Sequence, residues 1–155
     1  MFFVFRQVTW IPVRHSLKLQ RKMEFRLLAF DSNVAEKKLV KAYRGTDNVQ
    51  VGKMAAYQLG SALGKMGKVA VFSAQQKTKS VQDRVEGFMN NIGKYGDIEV
   101  VETIYSDQVD DMEASMKEVL EKYPTLDGVF CTNADITENV SESGEEVMSM
   151  MHRLW

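Results

Sequence analysis

Three stretches of the chain carry apolar residues at the same offsets. Ala55, Leu59, Ala62, Leu63 and Met66, then Val81, Val85, Phe88, Met89 and Ile92, then Met112, Met116, Val119, Leu120 and Tyr123 each advance by 4, 3, 1 and 3 positions. Those steps align five side chains along one stripe of a 3.6-residue helix, so each stretch is predicted to be a helix that lays one face on a common layer. Between them stand short β-branched or aromatic runs, "LVKAY", "KVAVFS", "IEVVETIYS" and "LDGVFCTN". Runs of that length and composition predict strands, and strands that alternate with helices predict a parallel sheet covered on both faces. "VAVF" and "GVFC" are apolar without alternation, as strands buried on two sides require. The expected class is α/β, a doubly wound, largely parallel sheet. Leu39–Tyr43, Val69–Ser73, Val100–Ser106 and Gly128–Cys131 are expected to be parallel neighbours within it.

The punctuation fits. Gly64 and Gly67 close the first helix, Ser80 followed by Asp83 opens the second as a weak capping box, Tyr95–Asp97 end it, and Pro124 stops the third. A chain of 155 residues with 45% hydrophobic and 26% charged residues is long and apolar enough for one domain with its own core. The formal net charge of −1 conceals a split: six of the 20 Lys and Arg, but only one of the 21 Asp and Glu, fall in residues 1–28. The remaining body is acidic and a poor match for a phosphate backbone, so nucleic acid is not an expected partner. Residues 1–28 form a basic segment with no strand-helix rhythm. "MFFVF" is too short for a signal-peptide core and lacks a positive lead-in, and no run approaches a membrane span. The C-terminal stretch 140–155 is expected to be a helix on Val140, Val147, Met151 and Leu154, or a truncated end.

In doubly wound sheets, ligands sit at the carboxyl ends of the strands. Here those ends hold Asp31–Asn33, Thr46–Asn48, Ser73–Lys79, Ser106–Gln108 and Thr132–Asp135, all rich in hydrogen-bonding side chains. Asp107 and Asp135 are candidate ligand contacts on that ground. Dinucleotide binding is disfavoured because Gly60, Gly64 and Gly67 precede a strand instead of following one, and no phosphate-cradling G-x-x-x-x-G-K-[ST] loop occurs. A phospho-acceptor site around Asp31, Asp107 and Asp110 has no convincing partner. Cys131, the sole cysteine, sits in an apolar strand and reads as a small hydrophobe, and no histidine spacing suggests a metal. The sequence offers no acid, base and nucleophile set, so neither catalysis nor a cofactor is expected.

Arg84 and Asn133 each admit two readings. Arg84, one turn into the second helix, is either a solvated partner of Asp83 or Glu86, contributing about 0.5 kcal/mol, or a planar fork aimed at vicinal hydroxyls or a carboxylate. Asn133 either caps the next helix or offers a donor and an acceptor to a sugar hydroxyl.

Four segments in matching order and separation, "GTDNVQVGKMAAYQLG", "GKVAVFS", "SVQDRVEGFMNNI" and "YPTLDGVFCTNAD", resemble the second half of the ribose-type periplasmic sugar-binding proteins, whose fold is shared by the effector domains of lac-repressor-like regulators. The resemblance covers about residues 30–139, and a lobe over 29–139 with foreign or truncated ends is expected from it. It implies a non-catalytic monosaccharide-binding lobe of a two-lobed clamshell. It further implies a membrane permease of an ABC transporter as partner, and a periplasmic or tethered extracellular location, although this chain shows no signal peptide. The acid of "FDS", the arginine of "DRVEGF" and the asparagine of "CTNAD" carry over as the ligand contacts Asp31, Arg84 and Asn133. Asp47 and Asn48 correspond to a stretch that starts a helix and shapes the cleft. The alternative implication, a regulator's ligand-sensing domain, meets an N-terminal segment without the two helices and turn of a DNA-binding unit.

Overall fold

The computed structural model of the chain describes residues 2–6, 26–30 and 41–153. Among the described residues there are two parallel three-stranded sheets. In the first, β1 (Phe2–Arg6) pairs with β2 (Arg26–Phe30) in register from Phe2↔Arg26 to Arg6↔Phe30, and β2 pairs with β3 (Ala42–Arg44). The basic N-terminal segment, read from sequence as lacking strand-helix rhythm, therefore contributes two strands. "FFVFR" has the length and aromatic content of a strand.

The second sheet follows α1 (Asn48–Ala62). It comprises β4 (Met66–Ser73), β5 (Asp97–Tyr105) and β6 (Gly128–Cys131), with α2 (Lys79–Ile92), α3 (Met112–Lys122) and α4 (Ala134–Arg153) between and after them. The order is β5-β4-β6, all parallel. The chain moves outward from β4 to β5, then returns across β4 to lay down β6. With right-handed crossovers, that reversal puts the helix after β4 and the helix after β5 on opposite faces.

The core confirms it. Along β4, Val69 and Val71 point to one face and pack with Ala56, Val81, Val85, Phe88 and Ile92 from α1 and α2. Ala70 and Phe72 point to the other and pack with Met112, Met116, Val119, Ile136 and Val140 from α3 and α4. A strand buried on both sides needs apolar residues at every position, which is why "VAVF" shows no alternation.

The expectation of four neighbouring strands holds for three. Of Leu39–Tyr43, residues 39 and 40 lie outside the described residues, and Ala42–Arg44 joins the other sheet. Strand texture reports burial on two faces, not which sheet supplies the neighbours.

The helix stripes need adjustment as well. In α1 the buried residues are Asn48, Gly52, Ala56 and Gly60, while Ala62 is exposed and Met66, which opens β4, is 62% exposed. Ala55, Leu59 and Leu63 pack only partly against the core. The fully buried stripe of α1 is small because it faces another helix at close range, and a search for large apolar residues passes over it. In α2, Val81, Val85, Phe88 and Ile92 are buried as expected, but Met89 is 38% exposed and Gly87 takes its place. The capping box at Ser80 does not form. α2 begins two residues earlier, with Thr78 in the N-cap position and Lys79 as its first residue, and Asp83 forms an ion pair with Lys79 one turn back. Asp111 caps α3 through its Oδ1, accepting from the backbone N–H of Glu113 at 2.8 Å and Ala114 at 3.3 Å. α4 continues through the segment expected to be helical from Val140 onward. None of the helices among the described residues is long and apolar enough to cross a membrane.

Candidate functional site

The reversal of strand order lies between β4 and β6, and that gap at the carboxyl ends is where such sheets form a ligand crevice. A connected set of polar side chains occupies it. Ser73 ends β4 and Thr132 follows β6; both are buried, with their hydroxyl oxygens 3.4 Å apart. Thr132 Oγ1 also accepts from the Ala74 backbone N–H at 3.0 Å and donates to Asn133 Oδ1 at 3.2 Å. A hydroxyl that both accepts and donates suits this junction, because it locks the two strand ends and orients the next side chain.

Arg84 reaches the same junction from α2. Its Nη1 donates to the Thr132 carbonyl oxygen at 2.6 Å, and its Nε donates to Asn48 Oδ1 at 2.8 Å. Asn48, buried at the start of α1, donates through Nδ2 to the Thr46 carbonyl at 3.2 Å. Asp47 caps α1 by accepting from Gln50 N–H at 3.0 Å. Of the two sequence readings for Arg84, a solvated pairing with Asp83 or Glu86 does not describe its contacts. The arginine is held by a side-chain amide and a backbone carbonyl, at the rim. Asn133 leads into α4, its backbone carbonyl accepting from Thr137 N–H and hydroxyl at 3.1 and 2.9 Å, while its half-buried side chain accepts from the Thr132 hydroxyl.

The sequence-predicted residues thus divide. Arg84 and Asn133 are brought together through Thr132. Asp107, after β5 on the same rim, is exposed and accepts from Gln76 N–H at 2.9 Å, tying the loop after β4 to the end of β5. Asp135 is exposed in the first turn of α4, where a carboxylate also complements the helix dipole. Asp31 lies outside the described residues. Asn48, Ser73 and Thr132 hold the rim together, yet sequence reasoning gave Ser73 and Thr132 no more than membership of polar strand ends and assigned Asn48 to starting a helix and shaping the cleft. Only the 36-residue separation of Asn48 and Arg84 closed by the fold reveals their pairing.

Among the described residues no three His, Cys, Asp or Glu side chains cluster as metal ligands. Cys131 is half-buried, and burial raises its thiol pKa, offset in part by a hydrogen bond with Thr137. That is the environment of a packing residue, as the sequence suggested. A separate open groove of about 480 Å³ runs along the solvent side of α1, lined by Gln50, Lys53, Met54, Tyr57, Gln58 and Asn91. It shares no lining residue with the Arg84, Thr132 and Asn133 junction.

Arg84 and Asn133 thus both contact Thr132 at the strand reversal of a doubly wound sheet. The model of the periplasmic binding protein domain family matches residues 22–147. The chain belongs to that family. Solved structures share the fold. An ABC transporter solute-binding protein from Burkholderia graminis C4D1M, in complex with D-arabinose, aligns with a TM-score of 0.76 and 27% identity over 85% of this chain and 46% of its own. A periplasmic solute-binding protein from Actinobacillus succinogenes 130z with bound D-allose aligns at 0.80 and 19% identity, over 94% and 54%. The fructose-binding periplasmic domain of the hybrid two-component system BT1754 aligns at 0.84 and 19%, over 93% and 48%. A search of curated protein sequences finds no match. The chain spans about half the length of the periplasmic binding proteins it matches.

Proposed function

We propose that this chain is a monosaccharide-recognition lobe of a solute-binding protein serving an ABC-type sugar transport system, acting in the periplasm or at the outer cell surface and performing no catalysis. The observation that carries the reading is the convergence of Arg84 and Asn133 on Thr132 at the strand reversal. A guanidinium supplies five N–H donors, two of which its contacts with Asn48 and Thr132 use, and an amide supplies both donor and acceptor. Together with the carboxylate of Asp31, carried over from the family resemblance, they match vicinal hydroxyls better than a phosphate or an apolar ligand. Asp107, after β5, and Asp135, after β6, are the outer candidates for hydroxyl contact. Family membership and the sugars named with the arabinose- and allose-bound proteins support carbohydrate as the ligand class.

One lobe offers only part of what a two-lobed protein closes around its ligand, so the interaction is expected at millimolar order, about 4 kcal/mol. Titration of ¹⁵N-labelled chain with D-arabinose and with D-allose tests it. Shifts are expected in residues 73–76, 84, 106–108 and 132–135. They should be absent in Arg84→Ala and retained in Lys77→Ala, whose side chain is exposed in the loop after β4. Perturbations confined to the groove along α1, or unaltered in Arg84→Ala, would sink the assignment.

A further inference from the structure

We infer that Asn48 is a positioning residue for Arg84: the start of α1 holds the arginine's guanidinium in a fixed plane at the rim before any ligand arrives. The inference rests on the sugar-binding reading of that rim and adds to it a role for a residue buried behind the surface.

The main chains of α1 and α2 touch where this happens. A Cβ built on Gly52 would lie 2.0 Å from the carbonyl oxygen of Arg84, and one built on Gly87 would lie 2.1 Å from the carbonyl oxygen of Val49. Only glycine fits in either place, since real Cβ atoms do not approach carbonyl oxygens so closely. The two contacts fix the backbone of Arg84 against α1 and the backbone beside Asn48 against α2. Asn48 Oδ1 consequently stands 2.8 Å from Arg84 Nε.

The amide's orientation is determined by its two partners. Nδ2 faces the Thr46 carbonyl, which can only accept, and Oδ1 faces Nε–H, which can only donate. A flipped amide would oppose donor to donor and acceptor to acceptor. Asn48 is 6% exposed, so water is a poor substitute for either bond. A guanidinium is planar, and bonding it at Nε to Asn48 and at Nη1 to the Thr132 carbonyl defines that plane. A side chain with arginine's rotamer freedom is thereby ordered in the free protein, and ligand binding need not supply that ordering.

The test uses the full chain in two measurements. The first needs no ligand: the Arg84 Nε–H resonance of ¹⁵N-labelled protein should exchange with water at least about tenfold more slowly than that of an arginine in unfolded chain, because it is hydrogen-bonded and half-buried. Asn48→Ala should lose that protection and Asn48→Asp, which keeps an acceptor oxygen, should retain it. The second is a double-mutant cycle in D-arabinose affinity. Asn48→Ala should weaken binding about tenfold, the loss of one charge-assisted hydrogen bond, and should weaken it no further once Arg84 is replaced by Lys. Rapid Nε–H exchange in the wild type overturns the inference, and so does an undiminished effect of Asn48→Ala in the Arg84→Lys background, which would make Asn48 a direct ligand contact. Slow, Asn48-dependent exchange in a chain that binds no sugar overturns the sugar reading and leaves the clamp supported.

Discussion

Phe88 shows how a single side chain is fixed by both its helix and its sheet. It is fully buried on α2, and its ring stacks on Phe130 of β6 with centroids 4.2 Å apart and planes 11° from parallel. The contact spans the two elements that carry Arg84 and lead into Thr132. Replacing Phe88 with Ala leaves a cavity between helix and sheet and is expected to cost about 3 to 5 kcal/mol. Lys77, exposed in the loop after β4, should cost less than about 0.5 kcal/mol on replacement by Ala. Urea denaturation of the two variants measures the difference, and similar midpoint shifts would contradict the assignment of Phe88 to the core. At this scale the sequence was informative: Phe88 lay on the 4, 3, 1, 3 stripe. Met89, next to it on the same stripe, was not assigned well, because one residue of rotation on a helix moves a side chain by about 100° and the stripe's edge is not marked in sequence.

Between elements, the contact of α1 with α2 depends on the glycines. Gly52→Ala and Gly87→Ala each force a Cβ into a backbone carbonyl that has no room to retreat, and each is expected to destabilise the chain by about 1 to 3 kcal/mol or more. Gly96, whose added Cβ would meet nothing within 4 Å, serves as the comparison and should change stability by less than about 0.5 kcal/mol when replaced by Ala. Thermal unfolding of the three variants tests the ranking; a Gly52→Ala chain as stable as Gly96→Ala would refute the close packing. Across the other face, Lys122 of α3 donates to Glu102 of β5 at 3.0 Å, and the Tyr123 hydroxyl donates to the same oxygen at 3.1 Å. The Lys122 hydrogen bond lowers the Glu102 pKa, against a smaller opposing effect of burial, and the Tyr123 bond lowers it further; the Glu102 hydrogen bond raises the Lys122 pKa. The carboxylate's contribution is present above the unfolded-state pKa of Glu and is lost as pH falls through its lowered folded value. The ammonium's contribution is present below the unfolded-state pKa of Lys and is lost as pH rises through its raised folded value. The stability difference between wild type and Glu102→Gln should therefore be greatest near neutral pH, vanish in strong acid, and shrink with added salt. A difference independent of pH would show that the pair contributes nothing.

On the scale of the whole molecule, the strand order decides where a ligand can sit. Because β6 lies on the far side of β4 from β5, the helices that follow β4 and β6 diverge to opposite faces, and the carboxyl ends of β4 and β6 are left open between them. Arg84 and Asn133 meet there although 49 positions apart in the chain. A ligand bound at that junction stabilises the folded state by mass action, by about 2.7 kcal/mol at a concentration a hundred times its Kd. D-arabinose at high concentration is thus expected to raise the melting temperature of the wild-type chain and not that of Arg84→Ala. The variant is itself expected to melt lower, because it leaves the buried Asn48 oxygen without its donor. An equal rise in both chains would place the ligand elsewhere.

What the amino-acid sequence determined by itself is the local and periodic part of this protein. Helices α1 to α3 and strands β4 to β6 are written in apolar spacing, since a side chain's direction follows from the repeat of its own element, and Arg84 and Asn133 could be named from residue type, strand-end position and family resemblance. Three features were settled only in the tertiary structure. The strands Phe2–Arg6 and Ala42–Arg44 belong to a separate sheet, because strand texture does not specify a partner. The buried stripe of α1 is Asn48, Gly52, Ala56 and Gly60, because close approach, to α2 at Gly52 and to the Tyr95 ring at Gly60, and not hydrophobicity decides which residues fit. Asn48, which sequence assigned to helix initiation, became the acceptor for Arg84, because a hydrogen bond across 36 residues exists only once packing has brought the two helices together.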